Sequence, residues 1–302
     1  MPMLATFPNI SFGILVGIGA GIPNDTKDVR LGNVVIGMPS GTLGGVFQYD
    51  LGKSRAEKWE RIGLLPRPLD VLLKAISKMQ SQHEMSDSMI PEILGRALQR
   101  NSKMAKTYAH PGTGLDLLFV PSYEHIGFTN DCSDCDLEKQ ISRPARDSAN
   151  PEIHYGIIAS GNALVKDANM RDRIANMEPG CICLEMEAAG LIGHFPCLVI
   201  RGISDYADSH KNDKWQRHAS ASASACVVEL PSYVHPKDVE LSRKATDMAK
   251  LELAIQSIGD RLDGANQNKA DEQVVAYLKA LYDSGGPYAE RKNRNPERVR
   301  YL

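Results

Sequence analysis

Residues 153–203 read IHYGIIASGNALVKDANMRDRIANMEPGCICLEMEAAGLIGHFPCLVIRGI. Three runs in this stretch are predominantly apolar and rich in Ile, Val and Cys, at residues 153–160, 181–184 and 197–203. Such runs are typical of strands that are covered by helices on both faces of a sheet. The segments between them, at 167–177 and 185–192, have the spacing of helices that bury one face. Alternating strands and helices predict an α/β domain with a largely parallel sheet.

The same alternation continues on both sides of this stretch. Buried strands are predicted at 12–16, 33–38 and 115–120, and the glycines after residue 16 predict a tight turn. Helices are predicted at 68–80, 90–101 and 215–230. Residues 124–149 are polar and irregular, which indicates a long loop.

Composition narrows the class of protein. The chain has 302 residues, of which 42% are hydrophobic and 24% charged, and its formal net charge is −2. This balance excludes wholesale disorder and a strongly basic nucleic-acid binder. The apolar run at 10–22 has no Lys or Arg before Lys27, so it lacks the positive region of a secretion signal, and it is too short to span a bilayer. Six cysteines in so long a chain do not form a disulfide scaffold. We therefore expect a cytoplasmic protein that binds neither membrane nor nucleic acid.

The chain changes character near its C-terminal end. Residues 237–262 and 269–282 have amphipathic helical patterns, and 291–300 carries five basic residues. We therefore predict an α/β domain at 1–236 and a helical tail at 237–302. The last segment is either a solvated basic tail or a connection to a further domain.

A glycine-rich segment, GIGAG, follows the first predicted strand at 17–21. Glycines after a strand can cradle a phosphate or a sugar with backbone N–H groups. The dinucleotide-binding version is excluded, because Ile22 stands where a third glycine is needed and Pro23 indicates a turn where a helix should begin. On spacing alone, a purely structural turn is an equal interpretation.

Two acidic segments follow predicted strands. The carboxylates of 185–187 (EME) could bind vicinal hydroxyls, although a charged helix N-terminus is the simpler interpretation. In 204–208 (SDYAD), a partly desolvated carboxyl could act as a general acid, and the alternative is a cap for the next helix.

One cysteine pair has the spacing of metal ligands, Cys132 and Cys135. A zinc site needs two more ligands. The candidates are distant in the chain: Cys181 with Cys183, or His125 with His154. Because only the fold could bring them together, the sequence gives a weak signal and we assign no metal ligand.

Five motifs occur in a fixed order: GILVGIGAGIP, RLGNVVIGMPSGTLGGVFQYDLGK, HYGIIASGNALVKDANMRD, CLEMEAAGL and CLVIRGISDYADSHKNDKWQ. Together they resemble the nucleoside phosphorylase/nucleosidase superfamily over about residues 10–230, in the form found at the N-terminus of many fungal NLR-type proteins. The resemblance implies a three-layer α/β sandwich around a mixed, largely parallel sheet, followed here by the helical tail. It also implies cleavage of the N-glycosidic bond of a nucleoside, by phosphate or by water, without a metal or an organic cofactor.

The resemblance also implies roles for the acidic segments. Asp205 resembles the aspartate that protonates, or hydrogen-bonds to, N7 of a leaving purine, and Ser204 resembles the residue that orients it. Glu187 and Met186 resemble the residues that hold the ribose hydroxyls, and Glu185 flanks them. Asp205 is therefore the expected catalytic residue, and a neutral acid at N7 assists departure of the base.

Two further segments take part in binding on the same resemblance. Gly17 and Gly19 resemble the turn beside the phosphate or water site. The expected base-binding residues are Asn162, Ala163, Leu164 and Val165. Leu164 stands where relatives often carry an aromatic ring that stacks on the purine.

The chain departs from the family pattern in two ways. Leu15 and Ile18 occupy positions where phosphorylases often carry Arg and Ser for phosphate, and the loss of those hydrogen-bond donors favours water. Relatives also begin with a strand upstream of this chain's first residue, so we expect that strand to be missing. The segment LKALYDSGGPYAERKNRNPERV resembles the connection to the NACHT domain of fungal NLR-type proteins.

We therefore predict a nucleosidase for purine nucleosides or nucleotides that serves as an effector or sensor domain of an NLR-type protein. Two alternatives stay open: a non-catalytic nucleoside-sensing or scaffold domain, and a phosphate-dependent nucleoside phosphorylase. The expected partners are a small-molecule purine, phosphate in the phosphorylase alternative, and further copies of the chain in a homo-oligomer.

Overall fold

The computed structural model describes residues 10–241, apart from 11, 25, 57, 128–130 and 194, together with residue 276. The chain divides into two compact units, Met1–His235 and Pro236–Leu302. Beyond its first residues and residue 276, the predicted helical tail lies outside the described residues. No described helix is long and apolar enough to cross a bilayer.

Strands and helices alternate along the first unit. The strands are β1 (Gly13–Gly21), β2 (Val34–Gly37), β3 (Val46–Gln48), β4 (Gly52–Arg55), β5 (Lys58–Arg61), β6 (Ile153–Ser160), β7 (Cys181–Glu185) and β8 (Cys197–Asp205). The helices are α1 (Asp70–His83), α2 (Ile90–Arg100), α3 (Ser102–Tyr108), α4 (Ala168–Ala175), α5 (Ala188–Ile192) and α6 (Gln216–Glu229). Short 3₁₀ turns occupy Thr113–Leu115, Leu137–Lys139 and Leu230–Tyr233.

A six-stranded sheet in the order β2-β8-β1-β7-β6-β3 forms the centre of the fold. The pairs β1–β8, β2–β6, β3–β6 and β6–β7 are parallel, and β1–β7 and β2–β8 are antiparallel. The predicted mixed, largely parallel sheet is therefore confirmed. Because β2 pairs with both β8 and β6, the sheet curls back on itself. Strands β4 and β5 form a separate antiparallel hairpin.

Both faces of the sheet carry an apolar core. Successive side chains of a strand point to opposite faces, and neighbouring residues of β6 and β3 accordingly enter different clusters. Ile158 and Val46 belong to one core, and Ile157 and Phe47 belong to the other. Cores on both faces require helices or loops on both faces, as in the predicted sandwich.

The strand register brings two carboxylates to one end of the sheet. Ala20 of β1 lies opposite Asp205 of β8 on one side and opposite Leu184 of β7 on the other. Ser160 of β6 lies opposite Glu185 of β7. Strands β7 and β8 run in opposite directions, and both end beside Ala20 of β1, so the residues that follow them meet there.

The glycine turn predicted after residue 16 is wrong, because Gly17 and Gly19 lie inside β1. A Cβ at Gly17 would overlap the guanidinium of Arg201, and a Cβ at Gly19 would lie 2.8 Å from Sγ of Cys183. These glycines therefore leave space for side chains of the neighbouring strands. They do not turn the chain.

The strand predicted at 115–120 is also wrong. This apolar run begins in the 3₁₀ turn Thr113–Leu115, and Phe119 makes one isolated bridge, to Gln140. Leu118 and Phe119 are buried, so the run fills the core as a loop. The hairpin β4–β5 and the short helix α3 were not predicted.

Helix α6 packs closely against the sheet through small residues. Ala219 and Ala223 are fully buried, and a Cβ at Gly202 of β8 would overlap the carbonyl oxygen of Ala219. Helix and strand backbones are therefore in direct contact, which only glycine permits at this position.

Gly202→Ala tests this contact. We expect the free energy of unfolding to fall by about 3 kcal/mol or more, because an overlap with backbone cannot be relieved by a side-chain rotation. Gly190→Ala in α5 is the matched control, since nothing lies within 4 Å of a Cβ there. The control should be neutral or stabilised by about 0.5–1 kcal/mol. Urea denaturation of both variants measures the difference, and equal stabilities would contradict the packing.

Candidate active site

A cavity of about 820 Å³ lies at the end of the sheet where β7 and β8 finish. Four parts of the chain supply most of its walls: β1, the segment after β6, the β7–α5 junction and the segment after β8. Tyr49 and Asp131 complete the lining from two loops. In α/β sheets, ligands bind outside the carboxyl ends of strands, so this cavity is the candidate site.

Asp205, the last residue of β8, is held rigidly in the cavity wall. Ser204 Oγ donates to Asp205 Oδ2 at 2.9 Å, and Ala207 N–H donates to Oδ1 at 3.0 Å. Lys211 Nζ lies 2.8 Å from Oδ2. Ala207 has a φ of 52°, an uncommon value for a residue with a side chain. The tight turn and three donors fix the carboxyl group in one orientation.

A buried polar cluster supports this turn from behind. Tyr206 donates to Asp116, and the guanidinium groups of Arg143 and Arg146 lie 3.1 and 2.6 Å from the same carboxylate. Burial alone would raise the pKa of Asp116, but Arg143, the Tyr206 hydroxyl and Arg146 lower it below its usual value. The cluster therefore anchors the residue next to Asp205 through an ionised carboxylate.

Asp208 is the acidic residue of this segment with the raised pKa. Burial raises the pKa of Asp208 to about 6, against the opposing charge of Arg171. Asp208 lines a second cavity of about 40 Å³ together with Asp205 and His210. Residues 204–208 thus contain a desolvated carboxyl. It belongs to Asp208, which lines the second cavity and not the main one.

The two glutamates of the EME segment differ in their surroundings. The Glu185 side chain is fully buried, accepts hydrogen bonds from the N–H groups of Glu187 and Ala188, and forms an ion pair with Arg201. The Glu187 side chain is 60% exposed, and its Oε2 lies 3.1 Å from Nη2 of Arg201. Glu185 therefore caps α5, as the simpler interpretation held, and Glu187 is the carboxylate that a ligand can reach.

Apolar side chains form two edges of the cavity. Leu164 is 56% exposed and Met186 is 41% exposed, and both line it. Tyr49 donates to the carbonyl of Ala163 at 3.2 Å and so holds the segment after β6. Burial raises the pKa of Tyr49, and the charge of Asp50 adds to this. Exposed apolar surface beside fixed polar groups is typical of small-molecule sites.

The structure brings most of the sequence-predicted residues to this one cavity. Those that line it are Gly19, Ala163, Leu164, Val165, Glu185, Met186, Glu187, Ser204 and Asp205. The other two lie elsewhere. Gly17 lies beneath Arg201 within β1, and Asn162 donates from its backbone and side-chain nitrogens to Asp50, at 2.7 and 2.9 Å.

Sequence reasoning missed the cations of the site, including the two that contact its buried carboxylates, Arg201 and Lys211. Arg201 is the one charge in the apolar run 197–203, and a charge in a buried strand needs a partner, which was a usable signal. Lys211 follows Asp205 by six residues in a loop. No spacing rule for loops would have placed its ammonium group on that carboxylate.

The cysteine pair has a third possible ligand beside it. Donor atoms of His125, Cys132 and Cys135 all lie within 4.8 Å of one another. The other candidates are elsewhere, since Cys181 and Cys183 are buried in β7, and His154 lies 3.2 Å from Asn33 Oδ1. Burial lowers the pKa of His154 to about 4, so it is a neutral structural residue.

Comparison with known proteins gives two levels of similarity. No family model matches the chain. Over 241 residues, or 80% of the chain, it is 40% identical to a nucleotide-binding leucine-rich repeat (NLR)-like protein of Hyaloscypha variabilis, of which it covers 23%. Over 105 residues, or 33% of the chain, it is 33% identical to the ATP nucleosidase Cap17 of Escherichia coli, of which it covers 20%. The chain thus spans about a quarter or less of the curated relatives that it matches.

A solved structure also matches most of the chain. It is a 5′-methylthioadenosine/S-adenosylhomocysteine nucleosidase from Colwellia psychrerythraea in complex with adenine. The match covers 77% of this chain and 71% of that chain, with 15% identity and a TM-score of 0.43. The sequence relatives and the sheet described above, taken without this match, support a nucleoside phosphorylase/nucleosidase-like fold for the chain and confirm the resemblance read from its motifs.

Arg201→Leu tests the buried ion pair. The change leaves the Glu185 carboxylate buried without its counter-charge, so we expect the free energy of unfolding to fall by about 3–5 kcal/mol. Adding Glu185→Gln should recover part of this loss. Arg67→Leu is the control, because the Arg67–Asp70 pair is exposed, and it should cost less than about 1 kcal/mol. Similar losses for Arg201 and Arg67 in chemical denaturation would contradict the ion-pair assignment.

Proposed function

We propose that this chain cleaves the N-glycosidic bond of purine nucleosides or nucleotides by hydrolysis. One observation carries the proposal: a single cavity holds a buried, oriented aspartate, Asp205, and an accessible carboxylate, Glu187, on the two sides of β1. Glycoside cleavage needs these two functions, an acid for the leaving group and a group that fixes the sugar.

Asp205 is placed to assist departure of the base. In its acid form it donates a proton to N7 of the purine as the bond between C1′ and N9 breaks, so that the base leaves uncharged. Loss of the proton turns Asp205 into a negatively charged carboxylate. The Lys211 ammonium, 2.8 Å away, stabilises that charge. Water then adds to C1′ and gives up a proton, which restores the acid.

Glu187 is placed to hold the sugar. An ionised carboxylate accepts two hydrogen bonds, which matches the vicinal hydroxyls of a ribose. Arg201 keeps its charge balanced from the buried side, at 3.1 Å. Met186 and Leu164 offer apolar surface to the faces of the sugar and the base.

The surroundings of β1 favour water over phosphate as the nucleophile. Arg201 lies over Gly17, where a phosphate would need a free cation. Its guanidinium already contacts Glu185 and Glu187, which would repel an anion. Ile18 lines the cavity and offers no side-chain donor.

The cavity can also accept a charged nucleotide. Lys166, Lys211 and Lys214 are part of its lining, so phosphate groups of a nucleotide would meet cations there. The similarity of 105 residues to an ATP nucleosidase supports the inclusion of nucleotides among the substrates. By the same reasoning from the NLR-like relative, the chain acts as one domain of a longer protein of that kind.

A substrate survey tests the reaction. The protein is incubated with adenosine, inosine, methylthioadenosine and ATP, with and without phosphate, and free base is measured by chromatography. We expect base release without phosphate. Release that strictly needs phosphate would establish a phosphorylase instead. A ligand that raises the Tm but yields no base would establish a sensing domain.

Two substitutions test the roles of the carboxylates. Asp205→Asn should lower kcat by about 10²–10⁴-fold through loss of the acid. Glu187→Ala should lower kcat/KM through lost positioning of the sugar. Glu92→Ala on the exposed side of α2 is a control that leaves the site intact. Wild-type rates in both site variants would refute the assignment.

A further inference from the structure

The loop that precedes β6 contains a compact cluster of metal-ligating side chains. One donor atom from each of His125, Cys132 and Cys135 lies within 4.8 Å of the others. The N–H of Cys135 donates to the carbonyl of Cys132 at 3.2 Å, so the two cysteines are the ends of one tight turn. Cys135 is buried, and both cysteines are free thiols.

The backbone around the cluster is shaped to form it. Gly127 has a φ of 98°, and a Cβ there would lie 2.7 Å from Oδ2 of Asp134. Asp131 Oδ1 accepts a hydrogen bond from Ser133 Oγ at 2.6 Å, and the N–H of Asp136 donates to the Tyr123 hydroxyl at 2.7 Å. These hydrogen bonds lie within the loop and hold its described residues together.

The hydrogen bonds of His125 set its protonation. Its Nε2 lies 2.9 Å from the carbonyl oxygen of Asp131, which can only accept, so Nε2 carries the proton. Nδ1 is left with a lone pair. Metal-bound histidines are held in this way, with the remote ring nitrogen donating to a carbonyl or carboxylate.

A fourth candidate ligand, His210, lies beside this three-residue cluster but outside the 4.8 Å set. His210 is buried, and neither of its ring nitrogens has a hydrogen-bond partner among the described residues, although Nδ1 lies 3.9 Å from Oδ2 of Asp208. Its ring stacks on Phe119 at 4.1 Å between centroids and lies 5.6 Å from the ring of His125. With Zn–N distances of about 2.0 Å, two imidazoles on one tetrahedral ion have centroids about 5 Å apart. A buried imidazole without partners is costly, and a metal ion would satisfy it.

We propose that His125, Cys132, Cys135 and His210 bind one Zn²⁺ in a tetrahedral site. Zn–S bonds of about 2.3 Å and Zn–N bonds of about 2.0 Å place ligand atoms about 3.5–3.8 Å apart. The three atoms of His125, Cys132 and Cys135 therefore need to contract by about 1 Å, and the ring of His210 needs to move toward them. Binding forms two Zn–S bonds and releases the two thiol protons to solvent. Two thiolates and two imidazoles leave no open position, so the ion is structural.

This ion would join the loop to the segment that carries the catalytic candidates. His210 lies one residue before Lys211, and Lys211 contacts Asp205. The N–H of His125 already donates to Ser209 Oγ at 2.9 Å, and Lys214 lies 3.4 Å from Asp131, which lines the main cavity. The metal therefore supports one wall of the cavity and makes no contact with substrate.

Metal analysis of the full chain, purified under reducing conditions without chelator, tests the site. We expect one zinc per chain, lost with a strong chelator together with a drop in Tm, and restored by ZnCl₂. Cys132→Ser and His210→Ala each remove a metal ligand. Removal of only the hydrogen-bond partner of a ligand weakens metal binding by roughly 10–100-fold, so each of these variants should weaken zinc binding by more than that. Cys226→Ser, at a buried cysteine of α6, is the control and should retain the metal.

Cobalt gives a second measurement, and its main result comes from the wild type alone. Co²⁺ added to the metal-free wild type should produce a thiolate-to-cobalt charge-transfer band, and His125→Cys should strengthen that band by adding a sulfur ligand. The proposal would be overturned if the reduced wild-type chain bound neither zinc nor cobalt. It would also be overturned if the chain were isolated with a Cys132–Cys135 disulfide and failed to bind zinc after that disulfide was reduced. Full zinc affinity in His210→Ala would overturn the four-ligand site.

Discussion

The ion pair between Arg201 and Glu185 is the constraint on which the candidate site depends. It is buried, so each charge requires the other. Arg201 comes from β8 and Glu185 from the end of β7, and the guanidinium crosses over Gly17 of the strand between them. The pair therefore fixes three neighbouring strands at the edge where the cavity lies. It also keeps the Glu185 side chain buried, while the Glu187 side chain is 60% exposed.

Close backbone approach is the second condition of this architecture. Gly17 and Gly19 leave space for side chains of β8 and β7, Gly161 leaves space for the ring of Tyr49, and Gly202 lets α6 touch β8. At each position a Cβ would meet an atom of the protein itself. These glycines are structural, and the site arises from the side chains that occupy the space they leave. The close packing holds Asp205 and Glu187 at fixed positions on the two sides of β1, as the proposed acid catalysis and sugar binding would both require.

Periodicity in the sequence was sufficient to predict a strand or helix where burial of apolar surface decides its conformation. The strands at 153–160 and 34–37 and the helices that begin at Asp70 and Ile90 follow apolar runs or amphipathic spacing, since burial of apolar surface decides their conformation. It failed at 115–120, where the run is as apolar as a strand but is buried as a loop. It failed again at Gly17, because a glycine needed for close packing and a glycine needed for a turn look the same in a sequence.

The sequence by itself determined the α/β class and the order of the motifs, because strand ends and acidic segments are local features. The resemblance of those motifs to a known family then supplied nine of the residues that line the cavity. Only the tertiary structure decided the burial and the contacts of those residues. It buried Glu185 and exposed Glu187, placed Lys211 on Asp205, and brought His125 to a cysteine pair that spacing alone left incomplete. Each of these depends on distances between segments far apart in the chain or on loops without periodicity, and no local pattern encodes such distances.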